Sequence, residues 1–161
     1  MIDIDKTKSF GVVDYADGTY TDISPMTISA ETQLTNDKSV VTVENLPYGC
    51  NELWDSTTNK IVGIQDGINY NYSTVVSFKA KTGNNNNSFQ IFLRDGDNVY
   101  DRNPQTGIFT KGIVVENAFE FNLPFYSGEL QRLNGFKIML SAGLTGNYDI
   151  YGITIQINKY N

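Results

Sequence analysis

The sequence predicts an all-β fold, an antiparallel two-sheet jelly-roll sandwich of roughly eight to ten strands. Three observations carry that prediction. Apolar and polar residues alternate at period two over several long runs, turn-forming residues punctuate those runs, and no window of about a dozen residues holds a helical period. The polar composition agrees, being rich in Asn, Thr and Ser and poor in long charged side chains. Short polar side chains bond locally to the backbone and compete with helix.

The elements can be justified in order. The first 30 residues are the least regular, because Tyr15-Ala16-Asp17-Gly18-Thr19 is turn-like and Ser24-Pro25 interrupts any strand. Residues 1–30 are therefore expected to be an irregular N-terminal segment that lies across the body of the protein or attaches to a partner. Residues 31–161 are expected to be the sandwich domain. Lys38-Ser39-Val40-Val41-Thr42-Val43 reads as a strand, and Leu53 to Lys60 reads as loop-like. In the next run Tyr70, Tyr72, Val76, Phe78 and Ala80 share one face, opposite Asn71, Ser73, Ser77, Lys79 and Lys81. Gly83-Asn84-Asn85-Asn86-Asn87 is a tight polar loop, so the strands flanking it are expected to pair as a hairpin.

Phe89, Ile91 and Leu93 then oppose Ser88, Gln90 and Arg94. Asp95-Gly96-Asp97-Asn98 and Asn103-Pro104-Gln105-Thr106-Gly107 read as turns. Phe119, Phe121 and Leu123 form the next apolar face, followed by Phe136, Ile138 and Leu140. The best helical candidate, Glu129 to Leu133, is about one turn. Leu144-Thr145-Gly146-Asn147 joins the last two strands, and the final one sets Tyr151, Ile153, Ile155 and Ile157 on one face. One buried and one wet face per strand is the pattern of antiparallel sheets.

Composition narrows function. The 161 residues are one domain's worth and carry a net charge of −6 with no basic cluster, which argues against a nucleic-acid partner. The single cysteine excludes an intrachain disulfide. Met1-Ile2-Asp3-Ile4-Asp5-Lys6 has no apolar signal core and no run approaches transmembrane length, so no membrane insertion is expected and the chain is expected to fold in a cytoplasm.

Histidine is absent, which removes the commonest general base and zinc ligand together. Cys50 has no imidazole partner and reads as a packed thiol. Glu116 and Glu120 share a face but read as solvated. No catalytic residue, metal ligand or cofactor site is therefore predicted. The weaker reading of the Asp95–Asp101 loop is an irregular Ca2+ site formed by Asp95, Asp97 and Asp101, although Val99, Tyr100 and Thr106 break the EF-hand pattern. The preferred reading is a hairpin turn with solvated carboxylates. Most Phe residues fall on buried faces. Trp54 reads as a loop anchor, with contact to a ligand or neighbouring subunit as the second reading. Tyr48, Tyr100 and Tyr126 stand in loops that would face a ligand, and Phe92 interrupts a polar face, which a subunit contact would explain.

The order Asp14-Tyr15-Ala16-Asp17, Ser24-Pro25, Leu34-Thr35-Asn36-Asp37, Leu46-Pro47 and Leu53-Trp54-Asp55 through Asn59, closed by the strand Ile153 to Ile157, resembles a group of small bacteriophage virion structural proteins. The resemblance runs in motif order from about residue 14 to 158. It implies a head-fibre, capsid-decoration or receptor-binding jelly roll, made in the host cytoplasm and carried on the virion. It further implies a homotrimer whose partners are capsid or tail proteins, with residues 1–30 as an attaching segment. The family offers no catalytic residues to carry over. The alternative within that resemblance is a tail-associated domain that recognises a host surface glycan, and a free-standing carbohydrate-binding module ranks third.

Overall fold

The computed structural model describes residues 10–63, 71–81, 88–96, 100–109, 116–126, 133–142 and 147–160. These residues form β1 (Gly11–Ala16), β2 (Met26–Ile28), β3 (Thr32–Gln33), β4 (Val40–Asn45), β5 (Trp54–Asp55), β6 (Lys60–Ile61), β7 (Asn71–Lys81), β8 (Ser88–Asp95), β9 (Asp101–Ile108), β10 (Asn117–Tyr126), β11 (Phe136–Ser141) and β12 (Tyr148–Lys159). Every pairing between them is antiparallel. One sheet runs β10-β7-β12-β1-β4 with β2 alongside β12; the other runs β5-β6-β11-β8-β9 with β3 alongside β11. The fold is the all-β jelly-roll sandwich that the alternation predicts.

The inner faces are the apolar sets read from the sequence. Tyr72, Val76, Phe78 and Ala80 of β7, Phe121 and Leu123 of β10, and Ile153, Ile155 and Ile157 of β12 are buried against Phe89, Ile91 and Leu93 of β8 and Phe136, Ile138 and Leu140 of β11. One end of this core is aromatic: Phe89 lies within 4.9–5.8 Å, centroid to centroid, of Phe78, Phe109, Phe119, Phe121 and Tyr148. Gly107 makes room for that ring, since a Cβ there would sit 2.2 Å from it. Burial of such rings, with edge-to-face contacts among them, dominates the stability of a core of this kind.

Several expectations are corrected. The strands flanking residues 83–87 are not a hairpin: β7 lies in the first sheet and β8 in the second. A jelly roll passes consecutive strands between its layers, which turn chemistry alone does not distinguish from a hairpin. Residues 1–30 are not a separate irregular segment either. From Gly11 onward β1 sits between β12 and β4, and β2 also pairs β12, so they are integral to the sheet. Residues 1–9 lie outside the described ones. Asn103 to Gly107 is part of β9 rather than a turn; β9 ends its sheet, and an edge strand tolerates Pro104. The helical candidate Glu129 to Leu133 lies outside the described residues except for Leu133, which is helical with Asn134.

The face of β12 also switches midway. Tyr148 and Ile150 point inward, then a bulge between Tyr151 and Thr154 inserts an extra residue at Gly152, whose φ is +60°. From Ile153 onward the opposite parity is buried, so Tyr151 belongs to the outer face and not with Ile153. There Lys81 sits 4.9 Å from the Tyr151 ring centroid, and its hydroxyl donates to Glu116.

The two long sides of the sandwich differ. Along one, Asn103 and Gln105 of β9 donate side-chain hydrogen bonds to the Pro124 and Asn122 carbonyls of β10, so side chains stitch the two sheet edges together. Along the other, β4 pairs only with β1 among the described residues, and none of its six residues is buried.

Candidate functional site

The motifs that carry the phage resemblance converge on one polar cluster at the β1–β5 corner. Trp54 is fully buried, and its indole N–H donates to the Asn36 carbonyl at 2.9 Å. Asn36, equally buried, donates from its side chain to the Tyr15 carbonyl of β1 at 3.3 Å, while its backbone N–H donates to Asn59 Oδ1 at 3.0 Å. Lys38 donates from Nζ to the Trp54 carbonyl at 3.0 Å and to Glu52 at 3.1 Å. Its φ of +44° is set by this close turn, where Asn36 Oδ1 accepts the Lys38 N–H. These bonds tie the first sheet, through Tyr15, to the second, through Trp54.

Two aspartates finish the corner. Asp17 accepts the N–H groups of Thr19, Tyr20 and Asp37. Asp37 accepts those of Gly18 and Ser39 and the Thr19 hydroxyl. Burial alone would raise the Asp37 carboxyl, but these donors outweigh it and hold it at about 2. Asp55 is likewise held low, by the Thr58 hydroxyl first and the Thr57 N–H next. Cooperating hydrogen bonds of this kind fix loops; no proton-transfer pair or nucleophile stands among them.

The five candidate contact residues separate. Trp54 is in the core, the loop anchor the sequence suggests, whereas Phe92 is buried outside that core, on the outer face of β8. Phe92 sits at a bulge where Asn103 and Pro104 oppose it; it pairs across with Met139 and is capped by the Arg94 guanidinium at 5.3 Å. Its break in the polar face is thus satisfied within the chain. Tyr48 and Tyr100 are exposed, on different loops, and the side chain of Tyr126 lies outside the described residues.

The Asp95 loop does join a hairpin, β8–β9, but Asp95 is not solvated. Arg102 donates to both its oxygens at 3.0 and 3.1 Å, and Arg94 similarly engages Asp101 at 2.8 Å while reaching Glu31 at 2.9 Å. Two of the three carboxylates considered for Ca2+, Asp95 and Asp101, are therefore paired with guanidinium groups; Asp97 lies outside the described residues. Among the described residues no cluster of three acidic or thiol side chains stands close enough to hold a metal.

Cys50 is half-buried, its thiol donating to the Glu52 carbonyl at 3.0 Å, and burial raises its pKa. Glu116 and Glu120 lie on the outer face of the first sheet. The first pairs with Lys79 at 3.0 Å and the second accepts from the Ser77 hydroxyl.

A groove of about 430 Å³ opens on the stitched side, between β7, β9 and β10. Its floor is the stacked pair Tyr72 and Phe125, 5.1 Å apart and 11° from parallel. Asn103 and Asn122 line the walls, and Tyr160, just past β12, forms one rim with its ring half-exposed. Its hydroxyl meets that of Ser73 at 2.9 Å. Asn103 has a φ of +52° at the β9 bulge, a conformation Asn tolerates better than most residues. None of these residues was among the candidate contacts read from the sequence. The Asn103-Pro104 pair carried the only signal, and it reads as a turn until the bulge is seen.

The chain is similar to solved structures of other proteins. The chain is similar to PRD1 vertex protein P5, with a TM-score of 0.49 and 18% identity over 96% of this chain and 99% of that one. It is also similar to Eiger TNF from S. frugiperda, with a TM-score of 0.53 and 7% identity over 96% and 94%. No family model and no curated protein matches the sequence. At these identities the likeness speaks to the fold alone.

Across both places the functional groups are amides, phenols, backbone carbonyls and carboxylates already engaged by cations or N–H groups.

Proposed function

We propose that this chain is a non-enzymatic structural component of a bacteriophage virion, a head fibre or capsid-decoration protein that works as a homotrimer. The observation that carries the reading is the agreement between motif order and structure. The segments resembling phage virion proteins, Asp14–Asp17, Leu34–Asp37 and Leu53–Asn59, are the same ones that lock the two sheets together at the β1–β5 corner. Residues that hold the fold together are the ones carrying the resemblance, which supports reading the resemblance as architectural. Charged groups spent on internal pairing suit a part that must persist outside the cell more than one that turns over substrate.

The chain would be made in the host cytoplasm and assembled with other virion proteins. Mass spectrometry of purified particles, with a map locating the chain, tests this directly. Its presence at a capsid position is the expected result; recovery only from infected lysate, never from particles, refutes it. Light scattering at micromolar concentration tests the oligomer: a mass three times the 18.0 kDa chain supports the trimer, and a stable monomer overturns it.

A further inference from the structure

We infer that the groove between β7, β9 and β10 is a binding site for an uncharged hexopyranose ring, alone or as a unit of a polysaccharide. The inference concerns this surface only and holds whether the chain sits on a capsid, on a tail or elsewhere.

The argument begins with the charge. Among the described residues, those lining the groove, Tyr72, Ser73, Asn103, Asn122, Phe125 and Tyr160 with Pro124, include neither a carboxylate nor an ammonium or guanidinium group. In a chain of net charge −6, an uncharged concavity with amide walls selects against anionic ligands by the general field and offers cations no counter-charge. Phosphates and carboxylated sugars are disfavoured on the same ground.

The remaining chemistry is two-sided. The groove needs a ligand with an apolar face and a hydroxylated edge. The Tyr160 ring is 53% exposed at the rim, a flat amphipathic surface held in place by its hydroxyl contact with Ser73. Phenol rings supply such contact area with little loss of side-chain freedom. Asn122 is exposed on β10 with its amide on the groove, and only its backbone carbonyl is used by Gln105. Asn103 gives its N–H2 to the Pro124 carbonyl, which fixes the amide and leaves its oxygen as an acceptor. An aromatic surface flanked by fixed amide donors and acceptors matches the C–H face and equatorial hydroxyls of a pyranose.

The site is also pre-formed. Its floor is core, with Tyr72 and Phe125 almost fully buried, and its walls belong to strands stitched by two side-chain-to-carbonyl hydrogen bonds. A cavity of about 430 Å³ falls within the range of small-molecule sites. Little ordering is then required on binding, so even a shallow contact can register.

The test uses the full chain and ligand-detected NMR with methyl glycosides of glucose, galactose and mannose, and with glucuronic acid as the charged control. At least one neutral glycoside should bind with a dissociation constant near about 1 mM, and its ring protons should receive saturation from aromatic protein protons. Tyr160→Ala and Asn122→Ala should each weaken binding about tenfold; the urea midpoint of Asn122→Ala should stay near that of the parent because its side chain is exposed, and that of Tyr160→Ala should fall only slightly, through loss of the Ser73 contact. Tyr100→Ala, on an exposed loop outside the groove, should leave binding unchanged. Absence of saturation transfer from every neutral glycoside at about 50 mM overturns the proposal, as does binding that Tyr160→Ala and Asn122→Ala leave intact. Equal or tighter binding of glucuronic acid overturns the assignment of an uncharged ligand.

Discussion

Replacing Trp54 by Phe asks whether the corner between the two sheets is held as the geometry implies. Phe keeps most of the ring but deletes the indole N–H, leaving the buried Asn36 carbonyl without its 2.9 Å donor. Orphaning a buried acceptor costs about 1–3 kcal/mol, and the smaller ring leaves a void worth about 1 kcal/mol more. The sum, about 2–4 kcal/mol, is a large share of the total stability of a domain, about 5–15 kcal/mol. For a chain of this size it lowers the thermal midpoint by about 5–15 °C. Urea unfolding followed by far-ultraviolet circular dichroism should show the midpoint fall with its slope unchanged. Circular dichroism is preferred because Trp54 is the only tryptophan, and removing it removes the fluorescence signal. A loss under about 0.5 kcal/mol, the range of an ordinary surface substitution, would refute the account of the corner.

Two further perturbations read other features. Gly152→Ala should cost about 1–2 kcal/mol in the same urea assay; its Cβ meets nothing within 4 Å, so the cost is conformational, from a φ of +60°, and an unchanged midpoint would refute the bulge. Asp37, held at about 2 in the folded chain against about 3.9 when unfolded, stabilises fully above about pH 4, and that contribution is lost as the pH falls through about 2. Linkage for such a shift is at most about 2.6 kcal/mol. Asp37 is exposed, and solvent screening reduces this to about 1 kcal/mol. Stability of Asp37→Ala measured from pH 2 to 6 should be correspondingly flatter than the parent, and parallel curves would refute the assignment.

The sandwich was legible where one face of a strand is apolar over many residues, as at Tyr72 to Ala80 or Ile153 to Ile157. Period two reports which face is buried, and it does so regardless of which strands are neighbours. Hence the hairpin expected across residues 83–87 failed while both of its strands stood. Local breaks were misread for a related reason. Tyr151 joins the alternation of Ile153 in sequence, but one extra residue at Gly152 reverses the parity, and nothing short of the pairing register reveals it. Phe92 looked like a surface awaiting a partner because the sequence does not show that Arg94 and Met139 close over it.

The corner was half-visible. Leu34 to Asp37 and Trp54 to Asn59 stood out as motifs, but their meeting with Asp17 requires the chain to return across about 20 residues on either side. The groove was not visible at all. Its floor consists of Phe and Tyr that read as ordinary core, its walls of amides common in turns, and only their convergence from β7, β9 and β10 makes a site.

The unburied β4 strand has a dynamic consequence. With none of its residues in the core, it is held by its backbone ladder to β1 and by side-chain contacts such as the Tyr15 hydroxyl donating to Glu44 at 3.0 Å. Regions with few buried apolar contacts open at energies far below global unfolding. Amide protons of Val40 to Glu44 should therefore exchange through local detachment, orders of magnitude sooner than those of β7 or β12. When β4 lifts, the edge of β1 is uncovered while the rest of the sandwich remains folded. Among the long described strands, β4 should then be the first to peel away, from the open side, with the stitched side and its groove outlasting it.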